Sequence, residues 1–156
     1  MKEHTYEAVV SWTGNKGTGT SDYTAYGREF TLQIEHKPDL LGSADVPFRG
    51  DKTRHNPEDF FLASLSSCHM LWYLHLCADA GIHVIEYTDK PIGKMVQSPE
   101  GGKFTSVTLR PTVTISNPEK TELANSLHHE ANKQCFIANS CNFPVTHEPD
   151  CILKNV

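Results

Sequence analysis

The sequence predicts a single α+β domain, and three features of its pattern lead to that class. Its 156 residues match the usual size of one globular domain, and 38% hydrophobic with 21% charged residues is ordinary for a folded chain. Two segments carry helix start signals. The segments before, between and after them carry strand patterns, without internal repeat or linker. We therefore expect one α+β domain over residues 1–156.

The first part of the chain is predicted to hold two strands and a long loop. β-branched and aromatic residues run from Tyr6 to Trp12 and stop at a turn-rich stretch. Residues 30–35 alternate strictly between apolar and polar side chains, as in a half-buried strand. Residues 36–55 are rich in Gly, Pro, Asp and Arg and show no period. We expect a long loop there, and such loops in compact domains are usually functional.

The clearest helix start is the segment Asn56-Pro57-Glu58-Asp59. Asn suits the N-cap, Pro suits the first helical position, and two acids complement the helix dipole. We expect this helix to run to about Asp79 and to stop at Gly81. Because its apolar residues go almost all the way round, it is predicted to be buried on every side.

Two further strands are predicted over residues 82–96 and 103–116, joined by a turn at 98–102. A last strand is expected between Phe143 and Leu153. The second helix opens at Asn117-Pro118-Glu119, with the same cap chemistry as the first. Its apolar stripe has a spacing of four: Leu123, Leu127, Ala131 and Cys135.

Charge and hydropathy exclude two classes of partner. A net charge of −5 with scattered basic residues argues against a general nucleic-acid binder. No run of eighteen apolar residues occurs, so we expect no membrane span. The first residues lack the apolar stretch of a signal peptide, so a cytoplasmic location is expected.

The five cysteines are candidates for chemistry or for packing. Cys68 lies amid serines in the middle of the first predicted helix, and Cys135 ends the stripe of the second. Two helices that bury a face in one small domain should pack together, so these two cysteines can meet, although the pattern does not require it. Cys77 lies half a turn round from Cys68 and is expected to be packing. Cys141 and Cys151 carry no spacing signal and are taken as structural.

Two other site chemistries find little support. The helical candidates for a metal site include no pair of histidines at i and i+4, so structural zinc is disfavoured; these candidates are His69, His75, Cys77, His128 and His129. A Cys–His hydrolase is disfavoured because helical neighbours such as Cys68 and His69 point about 100° apart.

Two stretches resemble the signatures of the OsmC/Ohr family. Residues 56–68 read Asn-Pro-Glu-Asp-Phe-Phe-Leu-Ala-Ser-Leu-Ser-Ser-Cys, which is similar to the first motif. Residues 131–140 read Ala-Asn-Lys-Gln-Cys-Phe-Ile-Ala-Asn-Ser, which is similar to the second, with Phe136 at the position of the usual proline. The motifs are specific together and weak apart. The order of elements agrees along nearly the whole chain.

The resemblance implies an OsmC-like fold, with antiparallel sheets around two long central helices in an intertwined homodimer. It implies a two-cysteine peroxidase without metal or cofactor that acts on organic hydroperoxides or hydrogen peroxide. A dithiol, for example a lipoylated protein, would reduce it. Cys68 falls on the peroxidatic position, Cys135 on the resolving position and Glu58 on the glutamate of the first motif.

The family also implies an arginine, held by the glutamate, because peroxide is attacked by thiolate and a guanidinium stays charged. Arg49 is nearest to the OsmC-like position, with Arg28 and Arg54 as alternatives. Glu58 and Cys68 are ten residues apart, a rise of about 15 Å on a straight helix. Either the helix breaks, or a partner subunit supplies one of them; we favour the partner.

Three functions stay open from the sequence. In the favoured one, Cys68 forms a sulfenic acid and then a disulfide with Cys135. The second is a protein of the same fold that binds a small apolar or thiol-containing ligand without turnover. The third is a structural homodimer whose cysteines only fill space. The aromatic residues near the first helix indicate either an apolar pocket for bulky hydroperoxides or a core; they are Phe60, Phe61, Trp72 and Tyr73.

Overall fold

A computed structural model describes residues 2–153 of the chain. These residues group into two compact units that divide between Phe60 and Phe61. Each unit has its own sheet structure and is described by itself below. The α+β class is confirmed, and the single domain over residues 1–156 stays a prediction.

The first unit contains a three-stranded antiparallel sheet in the order β1-β2-β3. Its strands are β1 Val9–Trp12, β2 Phe30–Gln33 and β3 Leu40–Gly42. The first strand thus begins three residues later than the aromatic and β-branched run at Tyr6. The connection from β1 to β2 is tied to the sheet by the Trp12 indole N–H, which donates to the Gly27 carbonyl at 2.9 Å.

The long loop predicted over residues 36–55 is only partly a loop. It contains β3 and a 3-10 turn over Val46–Phe48, which Asp45 caps by accepting from the Val46 N–H at 2.7 Å. The strand has too few residues to show a period. It depends on Gly42, because a Cβ there would lie 2.1 Å from the ring of Phe30. That close contact between neighbouring strands is not visible in a single-strand pattern.

Helix α1 spans Pro57–Asp79 without a break and starts as predicted. The Asn56 side chain accepts from the Asp59 N–H at 2.7 Å, and the Asp59 carboxylate accepts from the Asn56 N–H at 3.1 Å. This reciprocal pair satisfies two backbone donors that the helix cannot. Gly81, at φ 65°, ends the helix in the left-handed conformation that glycine tolerates.

The prediction that α1 is buried on every side is wrong for the single chain. Only one stripe with i, i+4 spacing is fully buried, whereas Leu71 on another face is 63% exposed. The elements of one chain cover one side of the helix. By length and composition α1 is long and apolar enough to cross a membrane, a property that core helices of soluble proteins share. The buried stripe is Leu65, His69, Tyr73 and Cys77.

The second unit contains two three-stranded sheets, in the orders β4-β7-β9 and β5-β6-β8. The pairs β4/β7 and β5/β6 are antiparallel, while β6/β8 and β7/β9 are parallel, so the pairing is mixed. Its strands are β4 Val84–Asp89, β5 Ile92–Ser98, β6 Gly101–Leu109, β7 Pro111–Ile115, β8 Val145–His147 and β9 Asp150–Leu153.

Each strand predicted over residues 82–96 and 103–116 is two strands. The breaks fall before Ile92 and at Arg110, next to Pro91 and Pro111, which cannot donate to a ladder. The Asp89 carboxylate holds the two breaks together by accepting from the Arg110 N–H at 2.6 Å. The predicted turn between residues 98 and 102 is confirmed. The expected last strand is likewise two, β8 and β9, in different sheets.

Helix α2 spans Thr121–Gln134 and follows a 3-10 turn over Pro118–Lys120. The predicted cap is wrong, because the Asn117 side chain makes no cap bond and instead accepts from the His83 N–H at 2.8 Å. A four-residue spacing drifts by about 40° per step on a helix. The buried stripe therefore differs from the predicted one, with Leu123 44% exposed; it is Ala124, His128, Ala131 and Cys135.

Candidate active site

Cys68 and Cys135 meet in the second unit. Cys68 lies in the middle of α1, and Cys135 lies between α2 and a short helix α3 over Phe136–Asn139. The two side chains lie close enough together for Cys68 to raise the pKa of the Cys135 thiol. The contact predicted as possible from helix packing therefore exists, and it joins residues from two helices that are distant in sequence.

The two thiols differ in exposure. Cys135 is 1% exposed, whereas Cys68 is partly exposed. Burial, together with the neighbouring Cys68 side chain, raises the pKa of Cys135 to about 12, although the Ala138 N–H that donates to its sulfur at 3.4 Å opposes the rise. Cys135 is therefore a protonated thiol at neutral pH, and Cys68 is the sulfur that solvent reaches.

The serines around Cys68 are accounted for by bonds inside the chain. Ser64 and Ser67 donate to carbonyls one turn earlier in α1, at 2.7 and 3.3 Å. Ser66 donates to the Asp89 carboxylate at 2.6 Å and so ties α1 to β4. These bonds hold the helix segment that presents Cys68.

The other three cysteines lie in packing environments. Cys77 is 1% exposed in the apolar core, as predicted. Cys151 packs against the same core, and the Cys141 thiol donates to the Ile137 carbonyl at 3.3 Å. Burial raises the pKa of all three thiols.

Glu58 lies in the first turn of α1 and belongs to the first unit. Because α1 is continuous from Pro57 to Asp79, the alternative of a broken helix between Glu58 and Cys68 is wrong. The role of Glu58 stays a prediction.

The three candidate arginines differ in how far their guanidinium groups are committed within the first unit. Arg28 donates to the carbonyls of Tyr26 and Tyr23 at 2.5 and 2.7 Å and lies over both rings. Arg54 lies 3.7 Å from the Asp51 carboxylate. Arg49 is exposed and forms no hydrogen bond or ion pair through its side chain among the described residues. Arg49 is therefore the candidate whose guanidinium would break the fewest bonds on binding another group.

Two aromatic side chains lie next to the thiols along the chain. Trp72 is one turn after Cys68 on α1, and Phe136 directly follows Cys135. Their rings meet edge to face, with centroids 5.6 Å apart, and Phe136 is 66% exposed. A cavity of about 250 Å³ is lined by Leu71, Trp72 and His75. Trp72 borders this cavity and packs against the core to which Tyr73 belongs, and a pocket for bulky hydroperoxides stays a prediction.

A buried histidine pair is not predicted by the sequence patterns. His69 Nε2 and His128 Nδ1 are 3.0 Å apart, and neither residue is exposed. The His128 ring stacks on Tyr73 at 3.9 Å. The sequence offers each histidine as a candidate metal ligand, but their distance in sequence hides the pairing. Within residues 2–153 no three His, Cys, Asp or Glu side chains converge on a metal position.

Comparison with known proteins supports the resemblance. The family model described as OsmC-like protein matches residues 50–150. An OsmC-like protein of unknown function from Vibrio cholerae is 34% identical, with a TM-score of 0.83 over 96% of this chain and 99% of that one. None of the curated proteins matches.

More distant structures share the fold. An organic hydroperoxide resistance protein from Elizabethkingia anophelis, 16% identical, has a TM-score of 0.70 over 97% of this chain and 99% of its own. One from Legionella pneumophila, also 16% identical, has a TM-score of 0.67 over 97% and 98%.

Proposed function

The chain belongs to the OsmC-like family, and from that premise we propose that it is a thiol-dependent peroxidase that reduces organic hydroperoxides. The observation that carries the proposal is the contact between Cys68 and Cys135, two thiols of unequal exposure. A peroxidase of two cysteines needs an accessible sulfur to meet the peroxide and a second sulfur behind it. This pair has that arrangement. Hydroperoxide resistance proteins among the structures of the same fold support the substrate class.

In the first step the Cys68 thiolate attacks the terminal oxygen of the hydroperoxide. The S–O bond forms as the O–O bond breaks, and the alkoxide leaves as alcohol after taking up a proton. Sulfur loses two electrons and the peroxide gains them, so Cys68 becomes a sulfenic acid.

In the second step the sulfur of Cys135 attacks the sulfur of the Cys68 sulfenic acid. The S–S bond forms as the S–O bond breaks, and the hydroxide leaves as water with the proton of the Cys135 thiol. Because this proton departs with the leaving group, the raised pKa of Cys135 does not require a separate base. An external dithiol, such as a lipoyl group, then reduces the disulfide.

We further propose that Arg49, held by Glu58, stabilises the Cys68 thiolate across a homodimer. The uncommitted side chain of Arg49 and the unbroken α1 support this assignment. The apolar faces of α1 that one chain leaves uncovered support a second copy as their cover, with Leu71 63% exposed. Light scattering should give twice the chain mass of 17.4 kDa. A monomer at micromolar concentration would contradict the dimer.

The test of the peroxidase is turnover of cumene hydroperoxide with dihydrolipoamide as reductant. Wild type should turn over many times, and Cys68→Ser should lose at least a thousandfold in kcat/KM because the nucleophile is gone. The matched control is Cys141→Ser, a half-buried thiol that no step uses. If wild type and Cys68→Ser consume peroxide at the same rate, the proposal is wrong.

The second candidate is a ligand-binding protein of the same fold without turnover. The pair of half-buried Trp72 and exposed Phe136 beside the cavity favours it, because such an aromatic pair can bind an apolar molecule without chemistry. It predicts saturable quenching of Trp72 fluorescence by cumyl alcohol, with every thiol still free after peroxide treatment. Loss of thiols would exclude it.

A further inference from the structure

The buried pair of His69 and His128 joins the same two helices that bring the thiols together. His69 directly follows Cys68 on α1, and His128 lies seven residues before Cys135 on α2. Their ring nitrogens are 3.0 Å apart, and the His128 ring also stacks on Tyr73 of α1 at 3.9 Å. The contact between α1 and α2 therefore includes both the thiol pair and the histidine pair.

The pair is built for neutral rings. A bond between two imidazole nitrogens needs one N–H donor and one bare acceptor, so protonating both rings sets two N–H groups against each other. The outer nitrogens, His69 Nδ1 and His128 Nε2, are buried and make no hydrogen bond among the described residues. A charge placed here gains no compensating acceptor.

The groups that face the pair offer no negative charge. His147 of β8 lies against both rings, at 5.7 Å from His69 and 6.3 Å from His128. His129 of α2 lies 6.4 Å from His147 on the outer side. Behind Tyr73 is Tyr87 of β4, with centroids 5.8 Å apart. The remaining titratable groups around Tyr73 are the protonated thiols of Cys77 and Cys151.

Three carboxylates on the neighbouring strands and helices have other partners. Asp89 accepts from Ser66 and from the Arg110 backbone. Glu148, directly after His147, pairs with the Arg110 guanidinium at 3.2 Å, and Glu130 pairs with a lysine at 2.8 Å. In the described part of the chain no carboxylate forms an ion pair with His69, His128 or His147. Protonation therefore adds like charges to a buried cluster.

We propose that His69, His128 and His147 form an acid-sensitive latch that holds α1 against α2 at neutral pH and releases Cys135 from Cys68 in acid. The pattern of burial and contacts carries this assignment, which goes beyond the peroxidase and holds for the folded chain whether or not it turns over peroxide. Its consequence is a protein whose thiol pair forms only in a neutral compartment.

The direction of the pH effect follows from the lowered pKa values of the three histidines. Burial lowers the pKa of His69 to about 4 and of His128 to about 3, below the value of 6.5 for a free histidine. Burial also lowers the pKa of His147. The unfolded or opened state binds these protons first, so stability is full above pH 6.5 and is lost as the pH falls toward 4. Each histidine can contribute up to about tenfold in the opening equilibrium per pH unit.

Urea unfolding between pH 7.5 and 4.5 tests the latch. The equilibrium constant for unfolding should rise at least tenfold between pH 6.5 and 5 in wild type. The double variant His69→Phe, His128→Phe removes both titrating rings, keeps aromatic volume and should flatten this dependence. His75→Gln, which removes an exposed histidine beside Asp79, should follow wild type. A wild-type constant that stays flat, or a double variant as steep as wild type, would overturn the proposal.

Thiol labelling distinguishes a latch from mere acid lability and does not require the double variant to fold. Dithiodipyridine reacts with protein thiols at acid pH. Labelling of Cys135 in wild type, relative to a model thiol at the same pH, should rise at least tenfold between pH 7 and 5, in a range where Cys77 stays protected. Equal protection of Cys135 at both pH values would overturn the latch, as would Cys77 and Cys135 becoming exposed together.

Discussion

Cys68 and Cys77 lie on the same helix, nine residues apart, yet the fold gives them opposite environments. Cys77 is 1% exposed and packs on the core residues Ile82 and Val113. Cys68 is partly exposed and meets another sulfur, that of Cys135. The helix and the residue type are shared, but the two side chains lie on opposite faces, so what separates a reactive candidate from a packing residue is the partner that each face meets. The partner comes from a distant part of the chain.

The largest effect on activity is expected from removing the partner of Cys68. Cys135→Ser should permit one turnover and then lose at least a hundredfold in multiple-turnover rate, because the sulfenic acid has no thiol to condense with. Mass spectrometry should show Cys68 accumulating sulfinic acid under excess peroxide. Normal turnover by Cys135→Ser would remove Cys135 from the mechanism and leave Cys68 no different from a lone thiol.

A smaller effect is expected from the charge proposed to favour the Cys68 thiolate. Arg49→Gln should lower kcat/KM for cumene hydroperoxide by about ten- to a hundredfold, because the thiolate loses a neighbouring cation. The matched control is Arg28→Gln, whose guanidinium is committed to Tyr23 and Tyr26. A larger loss for Arg28→Gln than for Arg49→Gln in folded protein would reverse the assignment.

The smallest effect is expected on the free energy of unfolding when the packing cysteine, Cys77, is replaced. Cys77→Ser puts a hydroxyl among apolar side chains and should lower the free energy of unfolding by about 1–3 kcal/mol, with kcat/KM unchanged. Cys68→Ser, at a partly exposed position, should alter the free energy of unfolding by less. Urea denaturation of both variants measures the difference. If Cys68→Ser proved the more destabilising of the two, the environments described for the two thiols would be wrong.

Local signals predicted the ends of α1 and the turn between β5 and β6, because cap and turn chemistry depends on neighbouring residues. The capping pair of Asn56 and Asp59 is such a case. Prediction failed where contacts between distant segments determine the local structure. The Asn117 amide, expected to cap α2, bonds the His83 backbone instead. Pro91 and Pro111 divided strands that hydrophobic pattern alone had joined.

The candidate site was predictable in part. The motifs placed Cys68 and Cys135 on two helices, and helix packing made their contact possible. The histidine pair was not predictable, because His69, His128 and His147 share no spacing and meet only when α1, α2 and β8 pack together. The apolar faces of α1 also hid its buried stripe, since a helix apolar all round does not indicate which side its own chain covers.

Peroxide should link Cys68 to Cys135, and the state of the five thiols after peroxide treatment shows whether it does. Intact mass and a free-thiol count are taken after one equivalent of cumene hydroperoxide, followed by peptide mapping. We expect the loss of two of five thiols and a Cys68–Cys135 crosslinked peptide. Five unreacted thiols would contradict it and would leave the ligand-binding function as the better description.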